Sequence, residues 1–192
     1  MDILSHGLYG SIAFGRRNRR NFWIAFFFGI APDFFSFGLF FIQRLFEWET
    51  GGVIQNGPPD PSTIPAYVGS LYNVTHSLVV FAVVFAVVWF IQHLFARKQI
   101  GAGFICRIPF MPMLAWPLHI LVDIPTHGSQ FFPTPFLWPV SDFYINGISW
   151  GSPYIFIPNV ILITVLYIWY FFYSSRARAK RMAKLAQKSG LI

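Results

Sequence analysis

The sequence predicts an all-α fold: a polytopic membrane helical bundle of four spans plus an N-terminal partial span, with aromatic, proline-rich outer loops. Three observations carry this expectation. Of 192 residues, 55% are hydrophobic and only 11% are charged, against about 25% charged in a soluble domain. Four stretches approach the roughly 20 apolar residues that a helix needs to cross a hydrocarbon core. The 14 Lys and Arg residues are segregated along the chain and not interspersed with the 7 acids. The size leaves room for a single integral membrane domain, residues 1–175 forming the bundle and 176–192 a basic tail. The single Cys106 rules out an internal disulfide and a four-thiolate metal site.

The partial span comes first. Residues 2–15 are apolar but interrupted by His6, Gly7 and Gly10, and at 1.5 Å per residue they reach only about 20 Å. The basic cluster Arg16, Arg17, Arg19 and Arg20 follows this stretch instead of preceding it, which argues against a cleaved signal peptide. Residues 22–46, 74–95 and 154–173 read as spans. The remaining one, 108–124, is short and contains Pro109, Pro112 and Pro117, so a kinked or re-entrant helix is expected there. The intervening segments 47–73 and 125–153 hold no Lys or Arg and are rich in Pro, Gly and aromatics, which predicts ordered loops without regular structure.

Charge gives the orientation. If four spans alternate, the Arg16 to Arg20 cluster, Arg97, Lys98, Arg107 and the six tail bases fall on one side, and Arg44 alone falls on the other. By the positive-inside rule the C-terminus and the loop bearing Arg97 and Arg107 are cytoplasmic. The net charge of +7 is then topogenic, and no aromatic-and-basic groove points to nucleic acid.

Against this scarcity of charge, five ionisable groups fall inside apolar segments: His6, Asp33, His76, His119 and Asp123. Each costs several kcal/mol in hydrocarbon unless paired or coordinated, so a shared site is expected. Counted from the nearest basic anchor, His6, Asp33, His119 and Asp123 lie about 15 to 24 Å above the cytoplasmic surface, with His76 nearer the outer rim. His119 and Asp123, at i and i+4, share one helical face. Pro125 is expected to end that helix at Ile124, letting Thr126 and His127 curl back over the site. The metal-ligand candidates are therefore His6, Asp33, His76, His119, Asp123 and His127, with Asp33 or Asp123 the candidate general base. Imidazole and carboxylate ligation suits Zn²⁺ first, with Mn²⁺ or Fe²⁺ as alternatives. His93 beside Arg97 reads as interfacial, and Asp60 and Asp142 as turn residues. The segment 131–139 follows the ligand helix and is expected to roof the site, with Trp138 on the path of an acyl or prenyl chain.

The opening Met1-Asp2-Ile3-Leu4-Ser5-His6-Gly7, then Ala31-Pro32-Asp33, Thr75-His76-Ser77 and His119-x-x-x-Asp123-x-x-Thr126 resemble, in the same order, the motifs of the membrane-bound metal-dependent hydrolases, the YdjM-like prokaryotic inner-membrane proteins. A more distant likeness is to zinc-dependent phospholipase C. The resemblance implies a helical membrane fold and a metal-dependent hydrolase. Two positions depart from the family pattern: Phe35 stands where a second Asp is common, and Leu71-Tyr72-Asn73 where His-Arg-Gly is common. The functional expectation is hydrolysis of a lipid-linked or amphipathic substrate, a phosphoester first, at the extracytoplasmic face. The competing expectations are a divalent-metal carrier or sensor, of which transport is disfavoured by the near absence of polar groups in 83–90 and 161–167, and a haem protein, which the neighbouring carboxylates disfavour.

Overall fold

The computed structural model describes residues 1–49, 63–98 and 110–188, with the side chains of 47–49, 96–98 and 173–188 outside the description. Among these residues there are only helices: α1 (Ile3–Phe14), α2 (Arg19–Glu49), α3 (Ala66–Thr75), α4 (Leu78–Lys98), α5 (Phe110–Met113), α6 (Ala115–Thr126) and α7 (Pro153–Lys188). The turn expected at Asp60 and the loop joining Lys98 to Arg107 lie outside the described residues.

Among the described residues, three helices are long and apolar enough to cross a membrane: Arg19–Phe46, Leu78–Phe95 and Pro153–Phe172. Much of their apolar surface is exposed, as at Val83, Val87 and Phe90 on α4 and Ile161, Val165 and Phe172 on α7, which is the pattern for helices that face lipid. The fourth expected span is two short helices instead of one. Leu114 interrupts it, its N–H bonded to Met111 O at 3.1 Å, and Leu118 N restarts the ladder on Leu114 O at 3.2 Å. Pro117 sits in the first turn of α6, where its missing N–H would have had no helical partner, so it starts this helix and does not kink it.

Three further expectations need correction. The outer segment 47–73 is not all loop, because α3 occupies Ala66–Thr75. The long helix expected from Val74 breaks at His76 and Ser77, and α4 begins at Leu78. The third correction concerns Pro125, which lies inside α6. The helix runs on to Thr126 because the extended segment 147–150 takes its last carbonyls: Ile148 N donates to Pro125 O at 2.9 Å, Trp150 N to Thr126 O at 3.0 Å and Gly147 N to His127 O at 2.9 Å. Position 147 must be glycine for this contact, since a Cβ there would lie 2.3 Å from Pro125 O.

The core is the crossing of α1, α2 and α6. Small residues let the backbones approach, as is usual between helices in lipid. A Cβ on Gly29 of α2 would stand 2.5 Å from His6 O of α1. Pro32 within α2 removes the N–H that would bind Phe28 O, loosening the helix one residue before Asp33. α7 is tied to α1 by polar groups: Asn159 Nδ2 donates to Ser5 Oγ at 2.9 Å, and Tyr9 OH donates to Asn159 Oδ1 at 2.8 Å. Asp2 caps α1, accepting from Ser5 N at 2.9 Å.

Candidate metal centre

Three elements deliver the cluster. α2 supplies Asp33, the α3–α4 break supplies His76, and α6 supplies His119 and Asp123. One ligand atom from each of these residues lies within 4.8 Å of the others. Asp123 Oδ2 is 3.1 Å from His119 Nε2 and 3.6 Å from His76 Nε2, while Asp33 Oδ1 is 3.3 Å from His76 Nε2 and 3.7 Å from His119 Nε2. Ligand atoms at the corners of a tetrahedron about an ion, each about 2.1 Å from it, are separated by about 3.4 Å. The observed separations bracket that value.

The tautomers favour the same reading. His119 Nδ1 donates to Gly29 O at 2.6 Å, so its Nε2 presents the lone pair inward. His76 Nδ1 faces Tyr72 O at 3.3 Å and Thr75 Oγ1 at 3.0 Å, and donation to Tyr72 O leaves its Nε2 lone pair inward too. The two Nε2 atoms are 3.1 Å apart. Two neutral imidazoles so arranged, with two carboxylates beside them, need a proton or a cation between them. Asp123 Oδ2 is buried with no aligned hydrogen bond, as are both nitrogens of His6. The donor set therefore suits a divalent ion.

His6 and His127 stand outside this four-residue group, each in contact with Asp123. His6 Nε2 is 2.9 Å from Asp123 Oδ1 but misaligned for a hydrogen bond, and its ring stacks on that of His119 at 3.6 Å between centroids. His127 Nδ1 is 3.3 Å from Asp123 Oδ1 and 3.3 Å from Asp123 O. The amino group of Met1 donates to Asp123 Oδ1 at 2.5 Å. Asp123 is thus the hub, and its side chain is 0% exposed, as are those of His76 and His119, whereas Asp33 is 16% exposed. The site opens at Asp33. His93 takes no part, stacking on Trp89 within α4.

Several positioning residues gave no sequence signal. Tyr72, fully buried, stacks on His76 with centroids 3.8 Å apart. Tyr72 OH donates to Phe132 O at 3.2 Å, Leu78 N donates to Phe136 O at 3.0 Å, and Ser77 Oγ donates to Trp138 O. The aromatic loop 131–139 therefore fastens the His76 turn. Phe35 is 56% exposed and lines a groove together with Thr75 and Trp116.

Comparison with known proteins agrees with this architecture. The family model described as YdjM inner membrane protein matches residues 1–187. The chain belongs to the YdjM inner membrane protein family. No curated protein and no solved structure matches it. The family match covers all four cluster residues together with α1 and α7 as far as residue 187.

Proposed function

We propose that this YdjM-family protein is a metal-dependent hydrolase that acts within the membrane on a lipid-linked or amphipathic substrate, a phosphoester first, at the extracytoplasmic face. The observation that supports it is the asymmetry of the cluster, three buried ligand groups and one carboxylate, Asp33, with an open side. Asp33, His76, His119 and Asp123 would hold the ion, Zn²⁺ first and Mn²⁺ or Fe²⁺ otherwise, with His6 and His127 adjoining through Asp123. When bound, such an ion supplies Lewis acidity toward the scissile group and the attacking water. Asp123, enclosed by His6, His119 and Met1, orients the histidines and has no room to take a proton from substrate. Asp33 turns Oδ1 toward the histidines, and its other oxygen is the general base that receives the proton of the attacking water.

The test pairs elemental analysis of purified protein with hydrolysis of lipid phosphoesters in mixed micelles. At saturating metal, Asp33→Asn should keep the ion and lower kcat by about 10² to 10⁴, the range for loss of a general base. His119→Ala should lose both metal and activity. Metal binding without turnover on phosphoesters, carboxylic esters or amides would leave a carrier or sensor and overturn the hydrolytic reading.

The facing of the site rests on charge. With Arg16, Arg17, Arg19, Arg20 and the tail bases inside, the segment 125–153 lies outside. A cysteine at Ser141, on a background with Cys106 replaced by serine, should react with a membrane-impermeant maleimide in spheroplasts. Labelling only after permeabilisation would place the site on the cytoplasmic side.

A further inference from the structure

A second feature lies beside the metal centre and takes no part in it. One stripe of α2 (Trp23, Ile24, Phe27, Ala31 and Phe35) lines a half-enclosed groove of about 660 Å³, with Arg20 at one end and Thr75 and Trp116 in the facing wall. These α2 positions recur at helical spacing, so they form one continuous trough. From Arg20 to Phe35 it runs about 22 Å along the helix axis, more than one leaflet of a hydrocarbon core about 30 Å thick. The trough belongs to a membrane-spanning helix, so the medium at its open side is acyl chain.

We infer that this groove holds one acyl chain of an anionic phospholipid, whose phosphate sits at Arg20. Charge complementarity selects this occupant. Arg16, Arg17, Arg19 and Arg20 gather at the start of α2 and make this end of the trough strongly basic. Trp23, half-exposed one turn into α2, stands at the level where indole rings favour the headgroup boundary. From there inward the wall offers hydrocarbon and aromatic surface. An uncharged lipid would gain the trough but not the guanidinium, and a soluble phosphate the reverse.

The inner end of the chain would bear on the scaffold of the two histidines. Trp116 Nε1 donates to Thr75 O at 2.7 Å, Thr75 Oγ1 lies 3.0 Å from His76 Nδ1, and His119 follows Trp116 by one turn of α6. An occupied groove therefore buttresses the wall from which His76 and His119 project. This lipid site does not depend on the chemistry proposed for the metal.

The test uses the full chain in detergent, titrated with dioleoyl phosphatidylglycerol and dioleoyl phosphatidylcholine and read by native mass spectrometry. Phosphatidylglycerol should bind one copy about fivefold more tightly, the worth of one Arg near an anionic headgroup. Arg20→Gln should erase that preference by weakening phosphatidylglycerol alone, and Ile24→Trp, which fills the trough, should abolish saturable binding of both. Because Ile24→Trp could disturb folding, a phosphatidylglycerol carrying a diazirine on its acyl chain should also be photolysed with the unmodified protein. Adducts should concentrate on residues 23–35 and on Trp116. Equal binding of the two lipids, equal labelling of the groove by a neutral diazirine lipid, or label spread evenly over the exposed faces of α4 and α7 would overturn the proposal.

Discussion

Asp123→Asn is expected to remove the metal from the purified protein. This carboxylate meets four histidines and the amino group of Met1, and its side chain is wholly buried, so no other residue can take over its contacts. Asparagine preserves the shape but loses the negative charge, and a single carbonyl oxygen must then serve both the Met1 amino group and the ion that the Nε2 lone pairs of His76 and His119 face. Loss of a second-shell partner of a ligand costs about 10- to 100-fold in metal affinity, so loss of this central ligand should exceed the upper figure. The measurement is metal stoichiometry by elemental analysis after dialysis against a graded chelator. His127→Ala is the informative companion, because His127 touches Asp123 from outside the four-residue group and should cost no more than about tenfold. If Asp123→Asn retains the ion while His119→Ala loses it, the centre is built on the histidines and the hub role assigned to Asp123 is wrong.

Gly29→Ala should be the most damaging small substitution in the helical core. The added Cβ would meet His6 O at 2.5 Å and the backbone of Gly7 at 3.0 Å, and both are main-chain atoms that cannot swing aside. α1 must move away from α2. That displacement carries His6 off the cluster and shifts the Gly29 carbonyl that fixes the His119 ring. Overpacking of this kind costs about 1 to 3 kcal/mol. Gly38→Ala, on the same helix, is the control. Its Cβ would come no nearer than 3.6 Å to the Phe34 ring, and relief of glycine's backbone entropy should stabilise the helix by up to about 1 kcal/mol. Thermal unfolding in detergent, followed with metal content, separates the two. Equal effects from both glycines would show that the close crossing at Gly29 does not govern the site.

The membrane class and the long apolar helices were legible from composition and from the length of the apolar runs, because a bilayer imposes both on any chain that crosses it. So were the ionisable residues worth following. Asp33, His76, His119 and Asp123 stand out because such groups are expensive in an apolar segment, and that cost needs no tertiary information to be noticed. The i, i+4 relation of His119 and Asp123 was equally a property of the chain, since helix geometry alone puts them on one face.

What the linear pattern could not supply was everything that depends on a neighbour distant in sequence. The break at His76 arises because the loop carbonyls of Phe136 and Trp138 compete for Leu78 N and Ser77 Oγ, and neither partner is near in the chain. α3 was hidden for the same reason. Its apolar side chains Val68 and Tyr72 are buried, Tyr72 against the distant Phe37 and Phe132 as well as His76, and the surrounding Gly and Pro content argues locally for a loop. Pro125 should stop a helix by its own chemistry, yet α6 continues because the segment 147–150 satisfies its carbonyls and Gly147 permits the approach. Likewise, the residue count set His76 nearer the outer rim and left it to tilt or kinks to bring it to the others, and the fold sets its Nε2 3.1 Å from that of His119. The sequence thus determined which residues cannot be left alone in hydrocarbon. Only the tertiary structure decided which of them meet, because buried polar groups are satisfied by whatever packing brings within about 3 Å, and that distance is set between helices and not along them.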